Sequence, residues 1–169
     1  LGELVIKLFR QEEELDLWVL LDGSGSMNFG EPNKFDHARR IAAALAYIGM
    51  GNMDSASVVP FTVELLRGRD RQRGRGRIFE LLDFLTALSC DGRTDLQRAA
   101  RSFVSRVRRP SLVVVVSDFY GLAGAQRALD LLRFFRHQIY VVQVACPWEL
   151  DPTIRGELRL IDVESSSQE

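Results

Sequence analysis

The sequence predicts a three-layer, doubly wound α/β fold: a mostly parallel sheet with one short antiparallel edge strand and helices on both faces. Two observations carry this expectation. Short apolar runs alternate along the chain with segments whose apolar residues recur every three or four positions, the order expected when helices cross over between strands of a layered sheet. Several of those runs are apolar at nearly every residue, as strands covered on both faces must be.

Taken in order, "LDLWVLL" (15–21), "SASVVPF" (55–61) and "SLVVVV" (111–116) read as central strands, and "QIYVVQVA" (138–145) and "GELRLIDVE" (156–164) as strands nearer an edge. "ELVIKLF" (3–9) is also strand-like. Because 15–21 should already be flanked on both sides, 3–9 is expected at an edge or standing apart. Helical spacing links Phe35, Ala38, Ala42, Leu45 and Ile48, then Ile78, Leu81, Leu82, Leu85 and Leu88. It also links Leu96, Ala99, Ala100, Phe103 and Val107, then Leu122, Ala125, Leu129, Leu132 and Phe135, each stripe fit to cover one face of the sheet. "TVELL" (62–66) follows Phe61 almost without connection, which favours the antiparallel edge strand there. "RGRDRQRGRGR" (67–77) alternates Arg with Gly, Asp or Gln and reads as an exposed loop.

At 169 residues and 46% hydrophobic, the chain is expected to form one domain, residues 1–169, with a substantial core. It begins at Leu1 and ends in "ESSSQE", which reads as a domain cut from a longer protein. A formal charge of -1 does not favour a nucleic-acid or membrane-surface partner. The six Arg of 67–77 lack interleaved aromatic residues to stack bases, so no nucleic acid is expected. No run approaches the roughly 20 apolar residues that span a bilayer, so no membrane contact is expected of this segment. Cys90 and Cys146 form no C-x-x-C pair and read as free thiols in a reducing, cytoplasmic setting.

The stretch "LDLWVLLDGSGSMNFG" runs from an apolar strand straight into a carboxylate, two hydroxyls and two glycines. Ligands of parallel α/β sheets bind outside the carboxyl ends of the strands. Three loops share that end: the one after Leu21, "CDGRTDL", and "SDFYG". Asp22, Ser24 and Ser26 alternate and can face one side of an extended turn, and Thr94 and Asp118 join them from the other two loops. Three hydroxyls and two carboxylates form an oxygen-only set suited to a hard divalent cation, Mg2+ first, with Mn2+ or Ca2+ as substitutes.

These residues closely resemble the metal-ion-dependent adhesion site of von Willebrand factor A (vWA) domains, whose pattern is Asp-x-Ser-x-Ser, then a Thr, then an Asp. The order of strands and helices follows that vWA and Rossmann-like family along essentially the whole chain. The resemblance implies that Ser24 and Ser26 bind the metal directly, Thr94 directly or through water, and Asp22 and Asp118 mainly through waters and supporting hydrogen bonds. "LLDGSGSM.FG", a Lys-containing first helix, "VVPF", "GRTDL", "VVSDF" and "GELRLIDVES" further resemble a bacterial vWA family labelled domain of unknown function fifty-eight. Members are often encoded beside MoxR-type AAA+ ATPases and can carry N-terminal membrane helices, which would lie before Leu1 in a membrane-anchored parent. The implied role is a non-catalytic adaptor or assembly factor whose metal accepts an Asp or Glu carboxylate from a partner protein. Arg93 stands where that family commonly has Gly, so a guanidinium there either repels the cation or grips the incoming carboxylate.

Other readings compete residue by residue. Asp22 to Ser26 could be a turn and helix cap, Thr94 could cap the helix beginning at Asp95, and Asp118 could close its loop. His37 reads as a surface residue, His137 as a cation at a helix C-terminus, Trp18 as packing, and Cys90 as a small thiol near the Thr94 loop. The dinucleotide fingerprint fails at Asn28, no G-K-[ST] is present, and Asp22 stands where a nucleophile elbow needs Gly. A metal-dependent phosphate-ester hydrolase with Asp22 as nucleophile is the alternative function, although Ser24 occupies the place of its second carboxylate. A structural domain with a vacant site is the third reading.

Overall fold

The structure, a computed structural model, describes residues 15–152 except 54 and 121. The expected strands at 3–9 and 156–164 lie outside the described residues. Five strands, β1 (Asp16–Asp22), β2 (Ser55–Phe61), β3 (Arg69–Gln72), β4 (Leu112–Ser117) and β5 (Gln138–Gln143), form one sheet in the order β3-β2-β1-β4-β5. The pairings of β1 with β2, β1 with β4 and β4 with β5 are parallel; among the described strands β3 alone runs antiparallel, against β2. The mostly parallel α/β architecture expected from the sequence is therefore present.

Period two sorts the strand side chains onto two cores. Leu17, Val19 and Leu21 of β1 join Val114 and Val116 of β4 on one face. That face is covered by α1 (Lys34–Asn52), through Phe35, Ala38, Ala42 and Ala46, and by α2 (Ile78–Thr86), through Leu81 and Leu85. Leu20, Val113 and Val115 point the other way, onto α3 (Leu96–Arg106) and α4 (Leu122–Phe134). Val19, Leu20 and Leu21 are 0% exposed, and burying each contributes roughly 1.5–3 kcal/mol. A short helix, α5 (Pro147–Leu150), follows β5.

The antiparallel strand is not where the sequence suggested. Residues 62–66 form a bend with a single bridge, Phe61 to Leu65, and the edge strand is Arg69–Gln72, inside the segment read as loop. An edge strand needs backbone partners and no buried face, so its exposed arginines are compatible with pairing. Polar contacts fix it: the Arg71 amide donates to Ser57 Oγ at 2.8 Å. The Arg71 guanidinium meets Asp16 Oδ2 at 3.2 Å, and Ser55 donates to the other Asp16 oxygen.

His137 also departs from expectation. It follows α4 but is 5% exposed, its ring edge-on to Phe103 at 5.3 Å between centroids. Burial lowers its pKa, against a weaker pull from the Val107 backbone carbonyl that works the other way, so it is a neutral core residue and not a solvated cation. The unfolded chain then takes up a proton near pH 6.5 that the folded chain resists. Stability should fall as pH drops below that value toward the lowered folded pKa, and level off beyond it. Denaturant midpoints at pH 7.5 and pH 5 should differ less in His137→Phe than in the unaltered chain; an equal difference would refute this assignment.

Candidate metal centre

The strand order reverses at β1, which has β2 on one side and β4 on the other. Loops leaving β1 and β4 therefore flank the crevice at which α/β sheets hold ligands. Asp22 closes β1 and is 1% exposed. Its Oδ1 accepts the Ser24 amide at 3.0 Å, and its Oδ2 accepts the Ser117 hydroxyl at 2.5 Å. Burial pushes its pKa up against those hydrogen bonds, with the Asp118 charge adding to the rise. Ser24 precedes the 3-10 turn Gly25–Met27 yet makes no side-chain cap bond. Its hydroxyl lies 3.2 Å from that of Ser26, so these side chains face each other and not the helix end.

The loop carrying Thr94 is stitched to the first by backbone bonds, Asp91 N–H to the Gly23 carbonyl at 2.9 Å and Gly25 N–H to the Gly92 carbonyl at 2.8 Å. Gly92 turns the chain at φ +81°, a conformation costly for other residues. Asp95, not Thr94, caps α3, accepting the Arg98 amide at 2.9 Å. Thr94 Oγ1 is left buried without a hydrogen-bond partner. Thr94 lines a cavity of about 230 Å³ together with Ser117 and Tyr120. Arg93, beside it, is exposed.

Asp118 comes from the loop after β4 and is 3% exposed. Its Oδ2 accepts from Lys34 Nζ at 2.9 Å, and the Tyr120 amide reaches its Oδ1 at 3.4 Å. Lys34 is itself 1% exposed and also donates to Glu149 Oε1 at 2.6 Å. Burial works against this ammonium, but Asp118 and Glu149 outweigh it and hold its pKa above the ordinary value. Burial likewise opposes the Glu149 carboxylate, which Lys34, Tyr120 and the Cys146 amide nonetheless pull below its usual range.

The five residues singled out by the sequence thus lie on three loops at one end of the sheet, with the Asp118 carboxylate close enough to raise the Asp22 pKa. No group of three or more His, Cys, Asp or Glu side chains able to hold a metal occurs among the described residues. A cation here would rest on hydroxyl oxygens backed by two carboxylates, a donor set for a hard ion. Sequence reasoning missed Ser117, Lys34, Tyr120 and Glu149. One signal was available: Lys34 is one of only two lysines in a chain otherwise basic through Arg.

The sheet and the helices on its two faces give the chain a vWA-like α/β fold. The chain belongs to the family described as "Protein of unknown function DUF58", whose model matches residues 1–169. It is 25% identical over 159 residues to uncharacterized proteins of Mycobacterium tuberculosis and Mycobacterium bovis, covering 91% of this chain and 50% of theirs. The chain therefore spans about half the length of the curated relatives it matches. Among solved structures it resembles the conserved hypothetical protein BatB of Bacteroides thetaiotaomicron (TM-score 0.58, 17% identity, 76% of this chain and 66% of that one). It also resembles an aerotolerance-related membrane protein of Bacteroides fragilis with multiple mutations to serines (TM-score 0.56, 20% identity, 91% and 79%). A third is the manganese-loaded TRAP protein of Plasmodium vivax (TM-score 0.54, 19% identity, 79% and 58%). No helix among the described residues is long and apolar enough to cross a membrane.

Cys90 donates to the Ser24 carbonyl, and burial, followed by the charges of Asp22 and Asp118, pushes its thiol up to about 12. At pH 8 the thiolate needed for alkylation is then scarce. With Cys146→Ala removing the other thiol, iodoacetamide should label native Cys90 at least about a hundredfold more slowly than the urea-unfolded chain; comparable rates would contradict the buried setting.

Proposed function

We propose that this domain is a non-catalytic, divalent-metal-dependent protein-binding module. In this reading Ser24, Ser26 and Thr94 hold the cation, Mg2+ first and Mn2+ or Ca2+ as substitutes, while Asp22 and Asp118 act through waters. An Asp or Glu of a partner protein completes the shell. The observation that carries the reading is the buried Thr94 hydroxyl without a hydrogen-bond partner, on a loop bonded through its backbone to the loop of Ser24 and Ser26, where the Ser24 side chain makes no cap bond. A buried hydroxyl left unpaired costs roughly 1–3 kcal/mol, and a cation among these oxygens would relieve it. Manganese in the Plasmodium vivax protein of the same fold supports a divalent ion here.

Neutral direct ligands leave a bound cation most of its charge, which favours an incoming carboxylate. Both oxygens of Asp22 are already engaged, by Ser24 and Ser117, which makes it a poor nucleophile and counts against phosphate-ester hydrolysis. We assign the domain a role as adaptor or assembly factor for a MoxR-type AAA+ ATPase, on the cytoplasmic side of a membrane-anchored parent. This assignment rests on the resemblance to the bacterial family.

Thermal unfolding of the chain in Mg2+ or Mn2+, against excess chelator, tests the site. At about 100 times its dissociation constant a ligand stabilises by about 2.7 kcal/mol, a rise of about 5–10 °C for a domain of this size. The rise should vanish in Asp22→Ala. An unaltered chain that melts identically with and without either ion would refute the proposal.

A further inference from the structure

We infer that Lys34 is the tethered counter-ion of this site. It sets how tightly the hydroxyl and carboxylate oxygens take a divalent cation, and it couples that uptake to the turn formed by Cys146–Leu150. The inference rests on the metal reading above and concerns what tunes that site.

Lys34 occupies an unusual place for an ammonium. It is the first residue of α1, where the helix dipole disfavours positive charge, and its side chain is buried although lysines ordinarily extend their charge into water. Two carboxylates from other parts of the chain hold it inward, Asp118 after β4 at 2.9 Å and Glu149 on α5 at 2.6 Å. The Tyr120 ring lies 4.7 Å from Nζ and the Phe29 ring 5.9 Å, shielding the charge from solvent. In such a setting charge interactions are several times stronger than in water.

An ammonium on Asp118 competes with any second cation that needs the same carboxylate. Lys34 therefore lowers the affinity of the site, which makes occupancy depend more on the carboxylate a partner adds. Glu149 acts in the opposite sense, sharing the ammonium with Asp118 and adding negative charge nearby. Its second oxygen accepts the Cys146 amide at 2.8 Å, so the turn is fastened to the same ammonium. The turn also sits tightly on the loop after β1: Gly30, at φ +90°, has no room for a Cβ, which would fall 2.5 Å from Cys146 Cβ. A shift of Lys34 between its two carboxylates would thus be felt at α5.

The two residues should move metal affinity in opposite directions, which a general loss of structure would not do. Calorimetric titration of the unaltered chain, Lys34→Met and Glu149→Gln with Mn2+, each checked for native circular dichroism, provides the test. Lys34→Met should bind roughly tenfold more tightly and Glu149→Gln roughly threefold or more weakly. If the unaltered chain binds Mn2+ but Lys34→Met binds equally or more weakly, the inference fails and the metal reading stands. Should Lys34→Met not fold, Glu149→Gln decides alone, since unchanged or tighter binding overturns the inference. If the unaltered chain takes up no Mn2+, the metal reading falls and the inference with it.

Discussion

The carboxyl end of this sheet takes its form from the parallel pairing of β1 with β4. Chains leaving these neighbours turn to opposite faces, α1 onto one core and α4 onto the other. Polar side chains of the described residues that are buried at this end must find partners among themselves. Ser117 on Asp22 and Lys34 on Asp118 are two such solutions. Thr94 Oγ1 is left over. The site is thus a consequence of topology before it is a matter of particular ligands.

That division explains what could be read in advance. The strands of the interior have continuous apolar sequences, and β1, β2 and β4 fall within a residue of the segments expected. The edge strand carried no such mark. Arg69–Gln72 is mostly exposed, and its pairing depends on backbone bonds and on Arg71 reaching Asp16, a contact no local pattern announces. "TVELL" was the better apolar candidate, but its residues bend away after a single bridge.

The grouping of the candidate site residues was legible to the same degree and for the same reason. Asp22, Ser24 and Ser26 sit two apart in one loop, and Thr94 and Asp118 follow at ends of predicted elements, so spacing and order exposed them. Lys34 and Glu149 are separated by 115 positions, and Lys34 and Asp118 by 84. A buried ion pair between such distant residues leaves no periodic trace. Its chemistry also hides it, because a Lys at the start of an amphipathic helix reads as solvated. The rarity of lysine in this chain distinguished it, together with its place in the first helix, which the family resemblance had already picked out.

Burying an ammonium among carboxylates is seldom the stablest choice, since desolvation offsets much of the attraction and an apolar replacement of similar shape is often neutral or better. Packing alone therefore gives little reason for Lys34 to sit inside a small domain, at the unfavourable end of a helix. Its position makes more sense as a setting of charge: Asp118 is held in place and largely neutralised without being consumed, and Glu149 carries the same charge to α5. A site built this way would be deliberately modest in its grip on a lone ion. Much of its binding strength would then come from the carboxylate that a partner contributes, which is the property a metal-dependent adaptor requires.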